Sequence, residues 1–417
     1  MFVNKVNRMR VQRTIPPTAA PVKIQDLLHG AAGIFFSKGY AARLERGIRE
    51  HFGVRHVFVV SSGKAALALI LAALKSLSDR RQVVIPAYTC FSVPSAIVKA
   101  GLEITLCDVD PLSFDFDYKL LPQVMTSNTL CVVPDHLFGI PSDMDRLVAL
   151  CKDRGVFIVE DAAQAMGGRY KGKMIGTIGD VGFFSFGRGK NITCGSGGVI
   201  VTNSAAIAKA IAAHYADLRE PGVASALKDF FQILFMSVFI RPSLYWLPAG
   251  MPFLRLGETI FHKDFPVEKL SRRKAGLLQH WWNRLTQSNQ TRAETAIYLS
   301  ERLQLKTPWP IPVPYLRLPL LMDSREARDR IYSLSQKRGL GISRMYPSAI
   351  NDIEEIKATF KGKDFPAAEM TAEKLLTVPT HHLLSEKDKK SISELFREAA
   401  FRECRQPSAS SVVGGMV

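Results

Sequence analysis

The chain has 417 residues, 47% hydrophobic and 22% charged, which is ordinary for a globular protein and leaves room for two domains with a sizeable core. A formal net charge of +17 favours anionic partners, among them sugar nucleotides, acidic membranes and nucleic acid, without choosing between them. The six cysteines form no CxxC or zinc-ligand spacing, and no stretch reaches the roughly 18 uncharged apolar residues of a spanning helix, so neither a zinc module nor a transmembrane segment is expected.

Residues 1–23 carry Lys5, Arg8, Arg10 and Arg13 without an acid, then a proline pair, and read as a basic N-terminal arm. No apolar h-region follows residues 1–13, so no signal peptide is expected, and the cysteine usage points to a reducing, cytoplasmic compartment. Residues 24–52 are helical in pattern, with Leu44, Ile48 and Phe52 at four-residue spacing. Residues 56–60 read as a strand, followed by a helix opening at Ser62-Gly63. A helix N-terminus offers free N–H groups and a favourable dipole to a phosphate. It is no Walker A loop, because Ala65 follows Lys64 and Phe58 stands where the first glycine belongs. The plain alternative is an N-capped core helix.

Further strands are expected at 82–86, 104–109 and 130–134, the last running into Asp135-His136-Leu137-Phe138-Gly139. His136 at this strand end is open between a structural role and one facing a site. After an amphipathic helix at 143–154 comes the centre of the chain. The apolar run 156–159 ends on Glu160-Asp161; the run 181–186 contains Ser185 and leads to Lys190 among glycines; 197–201 returns to the sheet. An acid, a hydroxyl and a lysine thus gather at neighbouring strand ends, where α/β sheets collect ligands. Seven strand runs between 56 and 202, most separated by helices, predict a mostly parallel seven-stranded sheet covered by helices. GRGKNI lacks the third glycine of a dinucleotide fingerprint, so a Rossmann NAD site is not expected.

Amine, carboxylate and phosphate donors in this order suit pyridoxal phosphate (PLP), which needs a Schiff-base lysine, an acid to keep its ring nitrogen protonated, and donors for its phosphate. EDAAQAMG, FFSFGRGKNI and GSGGVIVTN together resemble the DegT/StrS family of PLP-dependent sugar aminotransferases, with Lys190 five residues after Ser185 as that family's pattern has it. The resemblance implies a fold type I PLP-dependent transferase with a smaller C-terminal α/β domain, and a homodimer. It implies Lys190 and Asp161 as catalytic residues, and Gly63, Lys64, Ser185 and Gln164 as cofactor-binding. Lys64 stands where the family has threonine. The family also places an aromatic ring over the cofactor from the PAYTC turn; Cys90 holds that position, flanked by Tyr88 and Phe91, and the choice among them stays open. The HLFG turn resembles the family's as well. No metal site is expected; the pair His381-His382 offers too few ligands.

The resemblance lapses over 221–262. There residues 230–240 form an apolar run, Arg241-Pro242 interrupt it, and 244–253 form a second. These residues either cover the site or a dimer contact, or make a monotopic membrane patch through 230–253, with Tyr245 and Trp246 suited to an interface. The rest of the expected layout is a large PLP-binding domain at 24–220, a connecting segment at 263–304 with a long helix over 270–303, a small α/β domain at 305–403 with strands at 316–321 and 339–346 and helices at 324–338, 365–376 and 386–399, and a disordered tail at 404–417. The function expected is transfer of an amino group from an amino acid such as glutamate to a keto sugar, nucleotide-linked, for polysaccharide or glycan precursors. The alternative is a PLP-binding member that is not a transaminase. Nucleic-acid binding is not expected, since no reader motif is present.

Overall fold

Seven short runs rich in valine, isoleucine and phenylalanine pair into one sheet in the computed structural model, which describes residues 11–33, 39–254, 256–257, 259–305 and 313–403. The first ten residues of the arm, Arg255, and the tail 404–417 with Cys404 lie outside the described residues. The strands are β1 (His56–Val60), β2 (Gln82–Pro86), β3 (Glu103–Cys107), β4 (Thr129–Val132), β5 (Phe157–Asp161), β6 (Val181–Ser185) and β7 (Gly198–Thr202). Their spatial order is β1-β7-β6-β5-β4-β2-β3. All neighbours run parallel except β7, which is antiparallel to both β1 and β6. The fold is therefore the mostly parallel, helix-covered seven-stranded α/β sheet that the pattern predicts.

Strand periodicity divides the interior into two layers. Phe183 and Ile200 face one apolar core, and Phe184, Val199 and Val201 face the other. Each such phenylalanine contributes about 1.5–3 kcal/mol by leaving water. β6 closes against the loop before it so tightly that a Cβ on Gly182 would sit 2.2 Å from the Gly176 carbonyl oxygen.

A second, two-stranded antiparallel sheet, β8 (Arg317–Leu321) with β9 (Leu375–Pro379), carries the helices Arg325–Arg338, Pro366–Lys374 and Glu386–Glu403 as a small α/β unit. The long helix Trp281–Leu303 joins it to the large sheet through two fully buried arginines. Arg284 pairs with Asp26 at 3.1 Å, and Arg292 donates to the carbonyls of Leu316 and Ala19, both at 2.7 Å.

The structure corrects several boundaries. The expected helix over 270–303 breaks into Arg272–Leu277 and Trp281–Leu303, and the Leu277 carbonyl released at the break is taken by Arg284 Nη1 at 2.6 Å. The expected helix over 365–376 stops at Lys374, because Leu375 and Leu376 are buried in pairing with β8. The expected strand over 339–346 reduces to one bridge from Ser343 to Thr377. Gly339 and Gly341 there take φ of +66° and +74° and let the backbone of the arm approach, Ile15 N donating to the Gly339 carbonyl at 2.9 Å.

The described half of the arm is packed. Ile15, Ala19 and Ala20 are buried, Thr14 N donates to the Pro242 carbonyl, Arg13 pairs with Asp388, and His381 Nε2 donates to the Pro16 carbonyl at 2.8 Å. The segment 221–262 forms helices Val223–Phe239 and Pro242–Ala249. Among the described residues no helix is long and apolar enough to cross a membrane.

Candidate active site

The site stands at the C-terminal ends of β4, β5 and β6, where alternation along β5 separates two adjacent acids. Glu160, fully buried, accepts from the backbone N–H groups of Gly176, Ile178 and Gly179 at 2.6–2.8 Å and anchors the loop beneath the strand. His136 serves the same anchor. Its Nδ1 accepts from Ser142 N at 3.1 Å, so Nε2 carries the proton and donates to Glu160 at 3.0 Å. Both nitrogens are thereby engaged within the protein, and the ring lies near enough to Asp161 to act on its carboxyl.

Asp161 points the other way. It is 4% exposed and its Oδ1 accepts from Ala163 N at 3.0 Å. Asp135, where the chain of β4 continues, bridges to Asp161 in parallel and accepts from Thr89 Oγ1 at 2.7 Å. Burial raises both carboxyls above their ordinary range. For Asp135 the neighbouring Asp161 charge adds to the rise, and the Lys190 ammonium pulls both back down. Lys190 itself follows the Gly187 turn, its N–H donating to the Gly187 carbonyl at 3.3 Å, and it is half-buried. Among the described residues no hydrogen bond or ion pair holds its Nζ. Thr18 of the arm fixes the turn by donating from Oγ1 to the Gly189 carbonyl at 2.9 Å.

Ser185 ends β6 beside the N-terminus of the helix Gly63–Leu77. Ser62 caps that helix through Ala65 N at 3.1 Å, and a Cβ on Gly63 would come within 3.1 Å of Ser185 Oγ. A side chain at Gly63 would fill the space between the helix N–H groups and the serine hydroxyl. Lys64 turns aside: its Nζ lies 4.5 Å from the Phe265 ring centroid, and burial lowers its pKa. Phe91, 6% exposed, belongs to the apolar core and does not join the cluster. Tyr88 is buried with its hydroxyl on the Met345 carbonyl at 3.0 Å. Cys90 remains half-buried, between Lys64 and Tyr346.

Gln164 is buried, with Nε2 on the Tyr346 hydroxyl at 2.9 Å and Oε1 without a partner. Tyr346 reaches it from the small domain with φ of +34°, a conformation uncommon outside glycine. Sequence reasoning missed Tyr346, Asp135 and Thr18 as members of the site. Asp135 stood in the turn that includes His136, at a strand end; no local signal marks the other two, which arrive by tertiary contact.

The α/β sheet thus gathers a half-buried lysine, two buried acids and a helix N-terminus at its strand ends. The model of the DegT/DnrJ/EryC1/StrS aminotransferase family matches residues 24–397, and the chain belongs to that family. GDP-perosamine synthase of Escherichia coli O157:H7 is 38% identical over 168 residues, which are 40% of this chain and 46% of that protein. The chain thus spans about half the length of the curated relatives it matches. Helicobacter pylori PseC, an aminotransferase involved in the biosynthesis of pseudoaminic acid, shares the fold with a TM-score of 0.74 at 17% identity, over 93% of this chain and 99% of that one. So does a Streptococcus pneumoniae protein solved in its PLP form, with a TM-score of 0.72 at 22% identity, over 93% of this chain and 99% of that one.

The family is PLP-dependent, and the residues present fit that group. A buried acid and an unengaged amine stand together. A cradle that a single Cβ would fill lies at a helix N-terminus, and the buried Gln164 Oε1 lacks a partner.

Proposed function

We propose that the protein is a PLP-dependent aminotransferase that moves an amino group from an amino acid, glutamate, to a nucleotide-linked keto sugar in the making of polysaccharide or glycan precursors. The observation that carries this reading is Lys190, its amine unengaged, close enough to buried Asp161 to stabilise the carboxylate. PLP bound here supplies an electron sink and a temporary carrier for the amino group. Lys190 Nζ takes the proton from the reacting substrate carbon and returns it in the transfer. Asp161 would keep the ring nitrogen protonated through a charge-assisted hydrogen bond. Ser185 Oγ and the first N–H groups of the helix Gly63–Leu77 would hold the phosphate. With its amide turned over, Gln164 would accept from the Tyr346 hydroxyl and free Nε2 to donate to the cofactor's phenolic oxygen. Cys90, half-buried, would contact the cofactor.

The test is the absorbance of the purified protein. A near-visible band that decays on adding glutamate, and that Lys190→Ala lacks, is expected. Absence of the band ends the proposal; a band untouched by any amino acid leaves the family's cofactor chemistry without transamination.

We further propose a cytoplasmic homodimer, in keeping with the five unpaired cysteines among the described residues. A monomer by light scattering that still turns over substrate would refute the dimer. The helix Val223–Phe239 lays Ile233 against Gly195 and turns Phe231, Leu234, Phe235 and Val238 outward, Phe231 being 63% exposed. With exposed Lys228 and Arg241 at its flanks, this face suits an anionic bilayer surface. Flotation with anionic liposomes, lost when Phe231, Leu234 and Phe235 are made polar, is the outcome that supports it; equal flotation of both proteins, or none, removes it.

A further inference from the structure

A cavity of about 1010 Å³ lies between the insertion, the arm and the small domain, with Tyr245, Pro248 and Thr14 above and Arg317, Ser343 and Tyr346 below. Its volume is that of a site for a ligand well beyond an amino acid in size. It adjoins the Lys190 cluster through Tyr346, whose hydroxyl meets Gln164.

The arginines lining this cavity differ in one respect. Arg325 faces Glu373, and Arg328 and Arg344 share Asp329. Among the described residues Arg317 has no carboxylate partner. Its Nη1 donates to Ser343 Oγ at 3.1 Å and to Met345 Sδ at 3.5 Å, and its Nε is shielded from solvent without a partner. Behind it lies Arg292, whose guanidinium is spent on Ser288, Leu316, Thr380 and Ala19, none of them charged. Of the three carboxylates in the cavity wall, Glu373 faces Arg325, Glu369 accepts from Asn351 at 2.9 Å, and Asp352 meets only Asn351, at 3.5 Å. Arg317 therefore stands in the cavity wall with Arg292 buried behind it, and among the described residues neither guanidinium is paired with a carboxylate. A buried cation held by neutral groups is costly unless a counter-ion arrives.

We infer that Arg317 is the receptor for an oxyanion of the substrate, a carboxylate of the amino donor or a phosphate of the sugar carrier, held under the roof made by the insertion. Its planar fork suits both groups bidentately. The inference rests on the aminotransferase reading for the identity of the ligand, but not for the existence of the anion site. Burial lowers the Arg317 pKa, in keeping with a charge that awaits a partner.

The test is calorimetric titration of the cofactor-loaded protein with glutamate, UDP, GDP and inorganic phosphate, for the wild type, Arg317→Gln and Arg317→Lys. The expected result is that at least one probe binds the wild type and binds Arg317→Gln about 10- to 100-fold more weakly, the loss set by one charge-assisted pair. Arg317→Lys should lie between. Weakening confined to glutamate identifies the donor carboxylate; weakening of UDP, GDP and phosphate identifies the acceptor's phosphate. Unchanged affinity for every probe in Arg317→Gln, or no binding of any probe to the wild type, overturns the inference. Should Arg317→Gln fail to fold, Ser343→Ala frees the guanidinium from its orienting hydroxyl and must weaken the same probe. The near-visible band and its response to glutamate are followed in parallel, so loss of the aminotransferase reading and loss of the anion site register separately.

Discussion

The two ends of Gln164 meet two different kinds of structure. On one side is the strand-end cluster of Asp161, Lys190, Ser185 and Gly63, built from four stretches of the sheet domain and fixed by strand alternation and a helix cap. On the other is the cavity of Arg317, Tyr346 and Tyr245, assembled from the arm, the insertion and the small domain. The first is a place where backbone periodicity alone aims the side chains. The second exists only because three distant segments are held together by buried arginines and main-chain carbonyls. On the function proposed above, cofactor chemistry would fall to the rigid side and discrimination among substrates to the assembled side.

The largest effect expected lies in the cluster. Asp161→Ala removes a charge-assisted hydrogen bond of about 1.5–3 kcal/mol as well as the electron sink, and turnover should fall by orders of magnitude with the fold intact by circular dichroism. Near-normal turnover would break the assignment of the rigid side. Gly182→Ala tests the same side through packing alone. Its methyl group has nowhere to go beside the Gly176 carbonyl, and denaturant unfolding should register a loss of about 1–3 kcal/mol or more.

The assembled side responds to pH. Burial lowers the His381 pKa to about 3, and its neutral ring holds the arm through Pro16. A depressed folded-state pKa gives stability that is present above the unfolded value of about 6.5 and is lost as pH falls toward 3. Thermal unfolding of the wild type should therefore weaken across that window, by on the order of a few kcal/mol, and His381→Gln should flatten the dependence. The smallest effect belongs to the outward face of the insertion. Phe235, 48% exposed, should tolerate Phe235→Ser within about 0.5 kcal/mol by denaturant unfolding. A larger loss would mean that this face is covered.

The seven strands and the acid, hydroxyl and lysine at their ends were legible because strands and helices impose periods of 2 and 3.6 on the sequence itself, and because Ser185 to Lys190 is a local spacing. The same logic could not say that Glu160 anchors a loop while Asp161 faces the site, since that depends on which side of β5 the loop at 176–179 packs. Nor could it choose among Tyr88, Cys90 and Phe91, all apolar enough for the core. Packing places them differently: Phe91 and Tyr88 are buried in the core, Tyr88 with its hydroxyl on Met345, and Cys90 packs against the same core half-buried. The arm read as loose because isolated residues such as Ile15 and Ala19 carry no period, and their partners lie hundreds of residues away. Sequence by itself determined what each segment prefers to be. Tertiary structure decided which charges meet no partner, because pairing is a property of neighbours in space, and Arg317 differs from Arg325, Arg328 and Arg344 in nothing but its surroundings.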